Sequence, residues 1–135
     1  MSNTRCGGKW TEARFRSFII SALRSATKRW GPKGQARKNA RTSRGVYVCA
    51  CCGKQMGATA WREYKSGEKK GKPKKVNDAI VDHIVPVIDP LVGFTTWDEY
   101  IERMFCEVDN LQVICHDCHE IKCNEERELK KQRGK

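Results

Sequence analysis

From Trp10 onward, apolar side chains recur at helical spacing: Phe15, Phe18, Ile19, Ala22, Leu23, Ala26 and Trp30 follow the i, i+3, i+4, i+7 rule. Thr11 is placed to cap this helix, Gly31-Pro32 to end it, and residues 1–9 before it read as a loose end. A second short helix is predicted from about residue 33 to 40. Val46, Tyr47 and Val48 follow Gly45 as a short strand, and residues 58–64 suggest another. Lys65 to Lys75, punctuated by Gly67, Gly71 and Pro73, reads as a solvated loop. Val76 to His83 returns as a strand that Pro86 breaks. Thr95 or Thr96 caps a helix striped by Trp97, Tyr100, Ile101, Met104 and Phe105. Leu111 to Ile114 is a strand, and from Cys115 a final helix runs into the basic tail Lys130-Lys131-Gln132-Arg133. Helices and short strands in mixed order predict an α+β fold, and there is no internal repeat.

Charge divides this pattern in two. Residues 1–45 hold 12 Lys/Arg and the single acid Glu12, whereas residues 46–135 hold 15 of each sign. The whole net charge of +11 therefore belongs to the N-terminal third. We read residues 1–45 as a basic helical arm and residues 46–135 as the main domain. Arg14, Arg24, Lys28 and Arg29 lie on the polar side of the first helix, and Arg37, Lys38 and Arg41 follow it. A segregated excess of this size points to a polyanion, nucleic acid first, although charge alone does not separate DNA from RNA or an anionic membrane surface. The apolar stripe beside those bases is better explained by packing on the domain than by a membrane. The six lysines of the 65–75 loop could lie on a phosphate backbone or be merely solvated.

Only 39% of the chain is apolar and 32% is charged, so a domain this short benefits from a covalent or metal staple. Eight cysteines offer one. No apolar run spans a membrane and no secretory segment is visible, which favours a cytoplasmic, reducing setting, thiolate–metal sites over disulfides, and no membrane partner. Cys49-x-x-Cys52 and Cys115-x-x-Cys118 form two knuckles whose four thiolates suit structural zinc, and Gly53 fits the tight turn after the first. Cys51 blurs the register, since any of three neighbouring thiols could bind; Cys49 with Cys52 keeps the two-residue spacing. Cys6, Cys51, Cys106 and Cys123 then read as packing residues.

Around the knuckles stand Asp82-His83-Ile84-Val85-Pro86, Asp109-Asn110-Leu111-Gln112 and, directly after Cys118, His119. Each alone is weak evidence. Together they set a carboxylate, two imidazoles and an amide in a strand, loop, strand, helix unit that one zinc ties at its ends. Asp82 and His83 are adjacent on a strand and should leave opposite faces unless the backbone bends. His116, inside the second knuckle, reads as exposed.

Those three segments, with Val113-Ile114-Cys115 after the second and Glu120-Ile121-Lys122 after the third, resemble the HNH endonucleases, in the branch with a four-cysteine zinc site. The arm, with Trp30-Gly31-Pro32, is similar to an extension on phage HNH proteins. The resemblance covers about residues 46–126 and implies a ββα-metal core, in which two antiparallel strands and a helix surround one catalytic divalent ion. It implies His83 as general base, Asp82 and His119 as ligands of that ion (Mg²⁺, or Mn²⁺ or Ni²⁺), and Asn110 as the residue that orients the base. These roles are chemically sound. Imidazole as a class titrates near neutral pH and can take a proton from water. One carboxylate and one imidazole leave coordination positions open for phosphate and water. Asn110 can bond the backbone near His83 and fix its loop. Some relatives carry a third ligand histidine where this chain has Cys123, so a two-ligand site is expected.

The expected activity is metal-dependent hydrolysis of DNA phosphodiester bonds, as a nick or as a double-strand break, which needs two passes or two sites, as in a homodimer. A zinc-stapled DNA-binding module without chemistry is the alternative; Asp82, His83, Asn110 and His119 together argue against it. A third reading is an accessory nuclease working with phage packaging or restriction partners.

Overall fold

The computed structural model describes residues 3–133, so Met1 and Ser2 of the expected loose end, and Gly134 and Lys135 of the tail, lie outside the described residues. The chain divides into two units, residues 1–30 and 31–135. The first is built on helix α1 (Glu12–Thr27), where the Thr11 hydroxyl accepts from the Arg14 N–H at 3.2 Å, as an N-cap should. Before it, Arg5 and Trp10 pair across a tight turn, and Arg5 bonds Glu12 at 3.0 Å. Phe15, Ile19 and Leu23 are half-buried as the stripe predicts, but Phe18 remains 56% exposed and lies edge-on to Trp10 at 5.2 Å.

The second unit opens with α2 (Gly31–Ala40), so Gly31-Pro32 starts a helix as well as following one. Proline suits a first helical turn, where its missing N–H is not needed. Helix α2 buries Ala36 and packs on strand β7 (Leu111–Ile114). The packing division thus falls at Trp30/Gly31, earlier than the charge division at residue 45, because charge does not record which apolar face a helix buries.

Strands β1 (Arg41–Ser43), β2 (Val46–Val48) and β3 (Gln55–Met56) form a small antiparallel sheet. Strands β4 (Thr59–Glu63) and β5 (Pro73–Asn77) form a separate two-stranded ribbon. Strand β6 (Ile80–His83) pairs antiparallel with β7 in the register Asp82↔Gln112 and His83↔Leu111. Two expectations need correction. Residues 73–75, read as loop, are strand, because their backbone pairs with β4. The single strand read from Val76 to His83 is two strands in different sheets. Between them Ala79 is fully buried at φ 49°, and Asp78 donates its N–H to the Ala58 carbonyl and accepts the His116 N–H, which turns the chain.

Helix α3 (Trp97–Met104) is capped by Thr96, the second of the two candidates, and buries Tyr100 and Met104. A short 3₁₀ turn (Val108–Asn110) leads into β7, and α4 (His116–Arg133) completes the chain. The core centres on β7: Leu111, Val113 and Ile114 pack with Ala36, Met56, Ala79, Cys49 and Cys115. Burying each large aliphatic side chain is worth about 1.5–3 kcal/mol. Cys49 and Cys115, each 1% exposed, anchor the two knuckles in that core, whereas Cys52 is exposed. Among the described residues no helix is long and apolar enough to cross a membrane.

Candidate functional site

The two cysteine pairs converge. The Sγ atoms of Cys49, Cys52, Cys115 and Cys118 all lie within 4.8 Å of one another, and Cys52 and Cys115 are 3.9 Å apart. A tetrahedral zinc with bonds of about 2.3 Å needs sulfur separations of about 3.8 Å. The donor set and its spacing therefore fit a metal ion such as zinc. The β2–β3 turn makes the first knuckle: Cys49 donates to the Lys54 carbonyl at 2.9 Å, and Gly53, at φ 78°, donates to the Cys49 carbonyl at 2.9 Å. The Ala50 N–H bonds Val113 O at 2.9 Å and ties this knuckle to β7, whose end starts the second. Burial raises the Cys49 thiol, but backbone N–H groups of Cys52, Cys115 and Cys51 outweigh it and hold its pKa down to about 6. Cys118 is pushed upward, first by its hydrogen bond to Cys115. Four thiols so close cannot all ionise without a cation between them. Cys6 and Cys51 are exposed, and Cys106 and Cys123 half-buried.

A second cluster joins β6, β7 and α4. Asp82 points from β6 toward α4, where its Oδ1 lies 3.9 Å from His119 Nε2. Register places Gln112 directly opposite Asp82, and its Nε2 donates to Oδ2 at 3.0 Å. Lys122, one turn beyond His119, donates to the same Oδ2 at 2.5 Å and to the carbonyls of His83 and Ile84. Sequence reasoning passed over Lys122 and Gln112. Cross-strand register could have found Gln112, whereas a helical lysine carries no mark of its partner. Cys123 Sγ sits 3.8 Å from the His119 ring, and burial, with Glu126 and Asp82 nearby, raises its thiol and keeps it protonated.

His83 leaves β6 on the other side. No bend intervenes, and its Nε2 meets the Met104 carbonyl at the end of α3, 2.8 Å away. A carbonyl only accepts, so Nε2 carries the proton and Nδ1 of the neutral ring keeps its lone pair. Asn110 closes the loop after His83: its Oδ1 accepts from the Val85 N–H at 2.9 Å, its Nδ2 donates to Val85 O at 3.3 Å, and its carbonyl accepts from Ile84. These are the backbone contacts near His83 expected of it. The structure thus brings Asp82 to His119, and Asn110 to the His83 loop, but turns His83 to α3.

His116, expected to be exposed, is half-buried: its N–H bonds Asp78 and its ring lies 3.3 Å from Glu120. With Asp117 and Glu120 it lines a cleft of about 1020 Å³ between α4 and the β4–β5 ribbon, on the helix face away from His119 and Lys122. Arg14, Arg24, Lys28 and Arg29 are exposed in the first unit, and Arg37, Lys38 and Arg41 in the second. No family model matches the chain, and no curated protein and no solved structure matches it significantly.

Proposed function

We propose that this chain is a zinc-stapled, metal-dependent DNA endonuclease of the HNH kind, with β6, β7 and α4 as its ββα-metal core. One observation carries the reading: Asp82 Oδ1 and His119 Nε2 stand 3.9 Å apart beside the strand that bears His83. Two donors at that separation can both reach one ion with bonds of about 2.1 Å. When bound, a divalent ion would supply Lewis-acid stabilisation of the phosphate and of the leaving 3′-oxygen. Gln112 and Lys122 hold Oδ2, which leaves Oδ1 as the coordinating atom. With its Nε2 bonded to Met104 O, His83 keeps Nδ1 as the ring nitrogen that would take a proton from water as the water oxygen bonds to phosphorus. The P–O3′ bond breaks, the 3′-oxygen is protonated from solvent, and a 5′-phosphate remains. Asn110 holds the Ile84–Val85 backbone, so the loop after His83 keeps its place. The four cysteines, as the structural zinc site, fix β7 and the start of α4.

A second reading, a DNA-binding module without chemistry, draws on the Lys122–Asp82 pair, which already neutralises the one carboxylate of the site. Supercoiled plasmid incubated with purified chain and Mg²⁺, Mn²⁺, Ni²⁺ or no divalent ion separates the two. The nuclease reading expects relaxed or linear products with at least one ion and none without. Binding without cleavage under every condition would leave the second reading.

A further inference from the structure

Among the described residues the β4–β5 ribbon pairs only within itself, and pleating divides it into two unlike faces. On one face Ala60, Arg62 and Val76 turn toward α4, where Arg62 grips Asp117 through two bonds of 3.1 and 2.9 Å, and Lys65 bonds Glu120. On the other face Thr59, Trp61 and Glu63 stand opposite Asn77, Lys75 and Pro73, and all six are exposed, Trp61 by 65%. An indole that open on a regular strand leaves most of its surface to solvent.

Charge singles out the same element. Residues 59–77 hold seven Lys/Arg and two acids, whereas residues 46–135 as a whole are balanced. The ribbon is therefore positive and the rest of that stretch negative. Lys69, Lys70, Lys72, Lys74 and Lys75 have no carboxylate partner among the described residues. The connecting loop is nevertheless held in shape: Gly71 donates to Tyr64 O at 2.9 Å, Tyr64 to Lys72 O at 3.1 Å, and Lys69 and Lys74 stand over the Tyr64 ring.

We infer that the exposed face of the β4–β5 ribbon is a duplex-DNA contact surface, separate from the Asp82–His119 cluster. A two-stranded ribbon fits the DNA major groove. In this arrangement Lys70, Lys72 and Lys75 meet phosphates, while Trp61, Thr59 and Asn77 face the groove. The lysines set register and affinity, and the three groove-facing residues carry what base preference the ribbon has. The alternative occupant, an anionic bilayer, fits poorly, because Trp61 and Pro73 are flanked by Thr59, Glu63 and Asn77 with no apolar wedge to insert.

The test is binding by the full chain to a labelled 20-base-pair duplex without divalent ion, measured by fluorescence anisotropy across a salt series. For Lys70→Gln/Lys72→Gln/Lys75→Gln, the slope of log K against log salt should flatten by roughly 0.9 per lost contact, and affinity at physiological salt should fall ten- to a hundredfold. Trp61→Ala should bind about tenfold more weakly. Duplex should also quench emission in the wild type more than in Trp61→Phe. All these positions are exposed, and circular dichroism with zinc content establishes that the variants fold. Unchanged affinity and slope in the triple variant overturn the inference. So does tighter binding to phosphatidylserine vesicles than to duplex, with the same lysines responsible. A chain that binds DNA through the ribbon but never cleaves it retires the nuclease reading alone.

Discussion

Replacing Lys122 with Met should weaken the Mn²⁺-free fold while tightening its hold on a divalent ion. The ammonium bonds Asp82 Oδ2 at 2.5 Å and two backbone carbonyls, with side chains only 23% and 13% exposed for Lys122 and Asp82. Methionine keeps the aliphatic stem but leaves Asp82 with Gln112 alone on that oxygen. Breaking a partly buried, charge-assisted pair of this kind costs about 2–4 kcal/mol, discounted from the fully buried case for the remaining exposure. In a domain of this size, each kcal/mol shifts Tm by roughly 3–6 °C. Removing the ammonium also removes a repulsion: charges of +1 and +2 about 5 Å apart repel by ~1.7 kcal/mol even at the dielectric of water. Mn²⁺ affinity should therefore rise by more than tenfold, roughly 15-fold. Thermal melts with and without Mn²⁺, and Mn²⁺ titration followed by electron paramagnetic resonance, read both effects. An unchanged Tm together with unchanged or weaker Mn²⁺ binding would refute the reasoning.

Three further outcomes follow from the same geometry. Cys115→Ser should purify without tightly bound metal and fail to fold, by elemental analysis and circular dichroism, because apparent zinc binding of about 10–16 kcal/mol is comparable to or larger than the stability of a whole domain. Asn110→Ala should lower single-turnover cleavage about 10–100-fold with little change in Mn²⁺ affinity, since Asn110 touches the Val85 backbone and not Asp82 or His119. Changing Arg14, Arg24, Lys28 and Arg29 together to Gln should leave α1 folded and flatten the salt dependence of DNA binding; an unaltered slope would make the first unit scaffold only.

What the sequence revealed was set by the range of the interactions involved. The cysteine knuckles, the Thr96 cap and the β7 strand are local patterns, and each lies where the pattern predicts. The Lys-Pro-Lys-Lys segment at residues 72–75 looks solvated by composition, yet its backbone completes a ribbon, because exposed strands need hydrogen bonds and not apolar side chains. The break before β6 was hidden because Ala79, not glycine, takes the positive φ there, held by burial and by the Asp78 bonds. The pairing of Asp82 with His119 was expected only through resemblance, and Lys122 not at all: that contact joins residues 40 apart, and no spacing on α4 announces it. Charge segregation set the arm boundary at residue 45, but α2 is basic on one side and packed on β7 on the other.

The proposed phosphodiester-cleaving centre consists of Asp82, His83, Asn110 and His119. The most direct measurement compares wild type with His83→Ala on supercoiled plasmid in Mn²⁺, with zinc content and duplex affinity determined for both proteins. Wild type should cut, leaving 5′-phosphate ends, while His83→Ala should bind zinc and DNA normally and cut about 10²–10⁴-fold more slowly; these outcomes support the proposal. Equal cutting by the two proteins, or no cutting by wild type with any divalent ion, would contradict it.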